Sequence, residues 1–549
     1  MDNNFMNNNF MNNNSMNNNF MNNNDVFNKK PLIEKYKPIF ISTLVYAIFS
    51  TFALYKNLSG ITFPFFTLAT LVYFSICLYL LGVKLKNDTW FYMLSIELFG
   101  VSCCLTVDTR ILFMNKIAIS LLMMAFLLHE MYEDGKWDFM TYTKNILKQM
   151  FFSLENIPRP FEDGISYIKE NGSIDEKRSK NIKNILKYVF IGIVIAVPIL
   201  IVVIILLASA DEIFAKSIRL IFNPEWIIEN MGDVIGVCIT FVFVFIAAYM
   251  QVSYLNEKRL KAGEKYDIRY EPVIGITVAA ILCFVYILFC VIQIRYLFMG
   301  SISGKLSLPE GMTYSEYART GFFQLLFISI INVIIVLFGI YKFKNSNALK
   351  ILLTVITVCT YMLVASSALR MILYIQYKYL TFLRIFVLLA LIIIAFILAG
   401  VLISIYKNNF PFFKYSMIVI TLCYLAFSFT RPDYLIAKVN SDNMSKETQY
   451  DFFKDSPVYD DVDFLIYEIG IDGATALINE ETMEAYNTMK ETTGSIGYNR
   501  DYYVDYHKYK QEMFRYMYIK NLEDELGDMK IGFRSWNLSR YLAIELFDR

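Results

Sequence analysis

Charged side chains flank or enter several long apolar runs of this sequence, and these are the residues whose types could bind a ligand or carry out chemistry. A charged group is costly to place inside lipid, so its presence there often indicates a function. Arginine can bind a carboxylate or a phosphate through paired hydrogen bonds. We define the rim cluster as the charged residues near the ends of these runs: Asp211, Glu212, Arg295, Glu316, Arg319, Arg370 and Arg384.

Three interpretations of the rim cluster are open. In the first, the arginines pair with the rim carboxylates and with an acidic C-terminal domain, which holds that domain on the membrane helices. In the second, they bind an anionic headgroup, a cell-wall precursor or an anionic solute. In the third, the carboxylates act as a base or as metal ligands. Exposed ion pairs contribute only about 0–1 kcal/mol, so charge attraction alone does not select among the three.

Two further ionisable residues lie within apolar runs, Glu97 in mid-run and Lys116 near the start of the next run. A direct pair across a tight hairpin is one interpretation. Side chains lean towards the N-terminus of their own helix, which pulls these two apart and favours a lysine that extends to the headgroups. His129, which follows soon after, is predicted to be an interfacial residue rather than a catalytic one.

The sequence predicts no catalytic residue, cofactor or metal site. It lacks the motifs GxxxxGK[ST], GxGxxG, HExxH, GxSxG and CxxC. Its eight cysteines lie in apolar runs and it has only two histidines, so the cysteines are interpreted as small hydrophobic side chains.

Eleven apolar runs set the architecture. The 549 residues are 56% hydrophobic and 18% charged, against about 25% charged residues in soluble proteins. About 20 residues are needed to cross a bilayer core as a helix. We therefore predict an all-α polytopic helical membrane protein with about eleven transmembrane helices, within 39–55, 61–83, 90–107, 111–131, 188–208, 234–254, 273–299, 319–341, 351–374, 384–405 and 415–430.

Basic residues orient these helices. With a cytoplasmic N-terminus, the inward loops hold 26 Lys and Arg residues and the outward loops hold six, Arg110 among them. Cytoplasmic loops carry the excess of Lys and Arg. The N-terminus is therefore predicted to be cytoplasmic and the C-terminus extracytoplasmic, in the plasma membrane. The ninth run also carries a polar stripe that should face protein: Thr357, Thr360, Ser367 and Arg370.

Composition divides the chain into five regions. Residues 1–28 are an Asn-rich tail that is predicted to be disordered, 29–131 a region of four spans, 132–187 a cytoplasmic amphipathic loop, 188–430 a bundle of seven spans, and 431–549 an acidic helical extracytoplasmic domain. In the loop, apolar residues recur at helical spacing beside Lys144 and Lys148, as in helices that lie on anionic membranes: Leu147, Met150, Phe151 and Leu154. The last region has 14 Lys and Arg against 23 Asp and Glu, which disfavours nucleic-acid binding.

Several stretches resemble a known group of bacterial multi-pass membrane proteins. These are "LLASADEIF" (206–214), "TYSEYARTGFFQLL" (313–326), "LRMILYIQYKYLTFLRI" (369–385), "RPDYLIAKVN" (431–440), "DVDFLIYEIGIDGATAL" (461–477) and "FRSWNLSRYLA" (533–543). The sequence resembles the domain-of-unknown-function 4173 family and, more loosely, the 4153 family, while the first four runs resemble neither. The resemblance implies an envelope membrane protein and no established activity.

We expect a non-enzymatic sensing, scaffolding or regulatory role in the bacterial envelope. The alternatives are a transporter or flippase-like carrier of an anionic solute or lipid, and a membrane-embedded transferase. The expected partners are the lipid bilayer and an anionic lipid or envelope component, with no nucleic acid and no cofactor.

Overall fold

The fold is known from a computed structural model. It describes residues 32–132, 134, 137, 139–170, 203, 207, 211, 225–256, 270–295, 322–377, 379–407, 410–444, 468–492, 506–527 and 532–548.

Nine helices in these ranges are long and apolar enough to cross a membrane. They are α1 (Tyr36–Leu54), α2 (Thr62–Leu80), α4 (Thr109–Met131), α7 (Glu225–Asn256), α8 (Pro272–Gln293), α9 (Phe322–Lys342), α10 (Asn347–Tyr377), α11 (Phe382–Tyr406) and α12 (Phe412–Phe429). Helix α3 (Trp90–Leu105) is apolar but shorter. These ten coincide with ten of the predicted runs, and the run 188–208 lies outside the described residues except for two positions. The described chain contains helices and no strand, which confirms a polytopic helical membrane protein.

Contacts divide the chain into two compact units. Unit one comprises Met1–Gly100 and Ile119–Ala262, and unit two comprises Val101–Ala118 and Gly263–Arg549. In unit one, α1 packs against α2 and α7. The rings of Tyr46 on α1 and Tyr73 on α2 stack with their centroids 4.6 Å apart, and aromatic packing of this kind adds to the burial of apolar area.

Two helices of unit one precede α7 and lie against it: α5 (Phe139–Phe152), continued by a 3-10 turn (Ser153–Asn156), and α6 (Arg159–Glu170). Tyr249 of α7 donates its hydroxyl to Asp163 of α6 over 3.0 Å. Helix α5 buries Tyr142, Asn145 and Gln149. The four apolar residues of the predicted amphipathic face are exposed on α5 and its 3-10 turn: Leu147, Met150, Phe151 and Leu154.

In unit two, α10 packs against α8, α9 and α11. Polar side chains join these helices: Asn332 of α9 donates to the Thr360 hydroxyl over 2.9 Å and accepts from the Tyr286 hydroxyl over 2.6 Å. Ser366 donates to Gln293 over 2.8 Å. The polar stripe predicted on the ninth run is buried in the unit.

The described residues of the C-terminal part of unit two are mostly helical and begin almost directly after α12. They include α13 (Pro432–Met444), a 3-10 turn (Ile471–Gly473) that leads into α14 (Ala474–Leu477), α15 (Glu480–Thr492), α16 (Tyr506–Leu526) and α17 (Leu538–Asp548). We call the described residues from Arg431 to Asp548 the C-terminal segment. Its core, with Phe514 and Tyr518 fully buried, is continuous with Phe382 of α11 and Phe427 of α12. Burial of apolar area therefore holds the C-terminal segment against the membrane helices.

Candidate functional site

An arginine at the start of α4 contacts several carboxylates. Asp108 precedes α4 and caps it, because its Oδ1 accepts the backbone N–H of Arg110 at 2.8 Å. The Arg110 guanidinium lies 3.0 Å from Asp108 Oδ1, 2.6 Å from Asp433 Oδ1 and 3.3 Å from Glu468 Oε2. It also covers the ring of Phe382 at 4.1 Å, a cation–π distance. We call Arg110, Asp108, Asp433 and Glu468 the Arg110 cluster.

Asp433 is a buried acid of the cluster and lies beside a second carboxylate. Its second oxygen accepts the backbone N–H of Gly470 at 3.1 Å. Burial and the neighbouring charge of Asp108 raise the pKa of the Asp433 carboxyl to about 7, although Arg110 and the Gly470 N–H favour its ionised form. The carboxyl therefore changes its protonation near neutral pH.

The loop between α3 and α4 (residues 106–108) is bound by residues of the C-terminal segment. Asp472 accepts the backbone N–H of Val107 at 3.1 Å and the hydroxyl of Thr106. Asn537 donates to the Thr106 carbonyl over 2.9 Å, and Ser539 donates to the carbonyl of the last α3 residue over 2.8 Å. The last carbonyls of a helix lack intrahelical partners, so α17 completes the hydrogen bonding at the end of α3.

Two more polar residues fix the same region. Arg431, at the turn between α12 and α13, has a φ of 50° and donates to the Asp472 carbonyl over 3.2 Å and to Ser539 over 2.8 Å. A left-handed conformation is unfavourable for a residue with a side chain, and these bonds compensate for it. Asn440 bonds both the N–H and the carbonyl of Leu380, each at 2.8 Å.

A cavity of about 510 Å³ adjoins the Arg110 cluster. Arg110 and Glu468 line one part of it and Arg384 lines another. Arg384 donates to the Tyr379 carbonyl, and its guanidinium lies 4.2 Å from the centroid of the Tyr374 ring. The cavity thus has charged groups beside aromatic and aliphatic walls.

The structure places the members of the predicted rim cluster in different surroundings. Arg384 lines the cavity together with Arg110, which the prediction left outside the cluster. Arg370 is buried on α10, while Arg295 after α8 and Asp211 are exposed. The contact of Arg370 with a carboxylate stays a prediction. Three members lie outside the described residues: Glu212, Glu316 and Arg319.

Arg110 is the residue that sequence reasoning missed. The positive end of the helix dipole disfavours a cation in the first turn of a helix, so an arginine two residues after a capping aspartate indicates carboxylates from elsewhere. That signal was present in the sequence. Within the described residues no group of three His, Cys, Asp or Glu is arranged to hold a metal ion. In the Arg110 cluster, the positive charge beside the three carboxylates is the Arg110 guanidinium.

His129 forms a second polar cluster, in unit one. Its Nδ1 lies 2.8 Å from Asp134 and its Nε2 lies 2.8 Å from Asp88, while Tyr142 donates to Asp134 over 2.7 Å. A carboxylate can accept a hydrogen bond from a ring N–H, so the ring lies between two acceptors. His129 is 1% exposed and stacks on Tyr92. The carboxylates allow this polar ring to be buried, and its predicted interfacial position stays a prediction.

The loop before α3 is joined to the same end of α4. Glu130 accepts the backbone N–H of Lys86 at 3.0 Å and the hydroxyl of Thr89. Lys86 in turn donates its ammonium to the carbonyl of Tyr132 over 2.7 Å. Lysine favours the negative end of a helix dipole, so this contact stabilises the end of α4.

The two predicted intramembrane charges fall in different units. Glu97 accepts a hydrogen bond from Thr67 over 3.0 Å and lines an apolar groove of about 620 Å³ on α2 and α3 in unit one. Lys116 is half-buried on the part of α4 that belongs to unit two. Their direct pairing stays a prediction.

The sequence profile of a family described as Domain of unknown function (DUF4153) matches residues 93–464. This is the looser of the two resemblances, and the closer likeness to the 4173 family is not shown. The match begins within α3, so the predicted lack of resemblance over the first four runs is wrong for the third and fourth. No curated protein and no solved structure matches the chain.

Proposed function

The chain belongs to the DUF4153 family, and from this premise we propose that this integral membrane protein has a non-enzymatic sensing, scaffolding or regulatory role in the bacterial envelope. The Arg110 cluster is the observation that carries the proposal. It joins α4 to residues more than 300 positions later in the chain. The C-terminal segment then serves as a module that is docked on the membrane helices and whose docking can be regulated.

The hydrogen bonding of the carboxylates favours docking over catalysis. Asp108 caps α4, Asp433 accepts the Gly470 N–H, and Asp472 accepts the Val107 N–H. A catalytic base has to reach a substrate proton. These three side chains instead bind the backbone of the protein, and all three are buried.

The same contacts bear on the alternative role as a carrier. A carrier binds its substrate near the middle of the membrane, in a site formed by interrupted helices. The polar groups of α8, α9 and α10 bond one another instead, as Asn332 does with Thr360 and Tyr286. These contacts support a packed bundle, and therefore a scaffold or sensor.

We place the N-terminus in the cytoplasm and the C-terminal segment outside the cell membrane. The excess of basic residues in alternate loops supports this orientation. The Arg110 cluster then lies at the outer face, where the pH of the surroundings reaches it.

Complementation of a deletion strain tests the proposal, with survival during lysozyme exposure as the measurement. We expect Arg110→Gln to restore less survival than the wild type, because its segment is docked more weakly, and a chain that ends at Phe429 to restore the least. Arg295 is exposed and does not belong to the Arg110 cluster, so Arg295→Gln should restore survival. Asp433→Asn keeps one acceptor oxygen for Arg110 or the Gly470 N–H, and it should restore survival wherever the segment remains docked. Loss of survival with Asp433→Asn in a protein that remains docked would contradict the proposal and favour an enzyme.

A further inference from the structure

The cavity beside the Arg110 cluster has the composition of a site for an amphiphile. Its volume of about 510 Å³ falls within the roughly 300–1,000 Å³ of small-molecule pockets. Phe322, Phe323, Leu383 and Val387 supply apolar walls, and Arg384 supplies a charge. A ligand that fills it needs an apolar part and a polar part.

The cavity lies where three apolar helices begin or end. Helix α9 begins at Phe322, α11 begins at Phe382, and the last turns of α10 contribute Met371 and Tyr374. In a membrane protein such helix ends lie near the level of the lipid headgroups. Lipid is therefore the amphiphile present at this depth.

The positive charge that remains available in the cavity is Arg384. Arg110 already shares its charge with three carboxylates. Arg384 donates to a carbonyl and covers an aromatic ring, and no described carboxylate forms an ion pair with it. A guanidinium has five N–H donors, so Arg384 keeps donors for an anion.

The N-terminus of α11 adds further donors. Residues 381–384 all line the cavity, and no side chain caps this helix start at Thr381. The N–H groups of a first helical turn lack intrahelical partners and favour anions, phosphate above all. Arg384 and the helix start therefore present two kinds of phosphate donor to one cavity.

We propose that this cavity binds a glycerophospholipid, with its phosphate on Arg384 and the start of α11 and its acyl chains on the apolar walls. Glu468 lines the same cavity but pairs with Arg110, so it leaves Arg384 to the phosphate. The site goes beyond the proposed function: it adds a ligand next to the docked segment, and docking by the Arg110 cluster does not depend on it.

Native mass spectrometry of the delipidated full-length protein in a neutral detergent tests the site. The three probes are short-chain phosphatidylglycerol, a diacylglycerol with the same chains, and glycerol phosphate. We expect one phosphatidylglycerol per chain, and binding of the other two to be at least about tenfold weaker. Equal binding of the diacylglycerol would exclude phosphate recognition. Equal binding of glycerol phosphate would indicate a site for a soluble anion and overturn the lipid assignment.

Three variants connect the result to the cavity. Arg384→Gln should weaken phosphatidylglycerol binding by about tenfold or more, the usual effect of losing a hydrogen bond to a charged group. Leu383→Trp should block binding by filling the cavity from an exposed position, without a change of charge. Arg295→Gln should bind like the wild type. Unfolding temperatures identify variants that fail to fold, and unchanged binding by folded Arg384→Gln and Leu383→Trp would overturn the proposal.

Discussion

Replacing Arg110 by Gln removes the cation that three carboxylates share, and leaves an uncharged polar side chain that is about two atoms shorter. Asp433 then retains the Gly470 N–H, and Asp108 retains its role as helix cap. Glu468, whose side chain is 33% exposed, turns to water at little cost. The destabilisation therefore comes mainly from Asp108 and Asp433, whose side chains are each 2% exposed.

The magnitude follows from this burial. Removing one partner of a fully buried ion pair costs about 3–5 kcal/mol. The Arg110 side chain is 31% exposed, so water screens part of its attraction and the loss should be smaller. A hydrogen bond to a charged group contributes about 1.5–3 kcal/mol. We expect docking of the C-terminal segment to weaken by roughly 2–3 kcal/mol at pH 8, within the range of these two principles.

The loss should depend on pH. The pKa of Asp433 is about 7 in the docked protein against 3.8 for an ordinary aspartate, so the docked state binds the proton more tightly. In the wild type this contribution to docking is fully present below about pH 4 and is lost as the pH rises through about 7. Without Arg110 the pKa of Asp433 rises further, because an opposite charge is gone. The difference between variant and wild type should therefore be smaller at pH 6, where mainly the contact with Asp108 contributes, than at pH 8.

Limited proteolysis of the C-terminal segment in detergent measures this difference. Where the segment undocks and redocks faster than the protease cuts, the cleavage rate follows the population of the undocked state. A docking free energy that is weaker by 2–3 kcal/mol then corresponds to roughly 30- to 150-fold faster cleavage. Cleavage of an unstructured peptide at each pH corrects for the protease. Arg295→Gln serves as the control, and Asp433→Asn should remove most of the pH dependence. Equal rates for Arg110→Gln and the wild type at pH 8 would refute the assigned role of Arg110, and an equal effect at pH 6 would refute the role of Asp433.

Three further predictions concern packing, the buried imidazole and orientation. Gly400→Ala places a methyl group against the aromatic ring of α12 and should lower stability by about 1–3 kcal/mol in thermal unfolding, whereas Gly232→Ala, which meets open space, should be neutral or stabilising. His129→Gln removes the ring that lies 2.8 Å from both Asp134 and Asp88 and should lower the unfolding temperature by several degrees, since about 2 kcal/mol or more is lost; an unchanged temperature would contradict a stabilising role of this ring. In a cysteine-free background, Asn487→Cys should react with an impermeant thiol reagent in intact cells and Asn345→Cys only after lysis, and the reverse result would invert the proposed orientation.

The sequence predicts the helices well because their signal is local. Apolar runs of membrane length match ten described helices, and the period of Leu147, Met150, Phe151 and Leu154 predicts an amphipathic helix whose exposed apolar face the structure contains. Each of these patterns is contained within about 20 neighbouring residues. A window of that length is enough to evaluate hydrophobicity and period.

The pairing of charges could not be predicted in the same way. Thr106 and Val107 bind Asp472, which lies 365 or 366 positions later, and the period of a helix does not specify such a partner. Composition gave only the sign of the charge on the C-terminal region. The negative charge of that region predicted that arginines near the ends of the spans would pair with its carboxylates. It did not identify which arginines do so.

The position of Arg110 explains why it, and not a rim arginine at the end of a long span, makes this contact. It follows the three-residue loop between α3 and α4, and α3 is the shortest of the apolar helices. The turn from α12 to α13 takes only residues 430 and 431, so Asp433 cannot move far from the membrane helices. A short helix, a tight loop and a connection without a linker together bring a cation and carboxylates to one place. Lengthening the connection after Phe429 by a few flexible residues should therefore weaken docking, even with every charge of the Arg110 cluster intact.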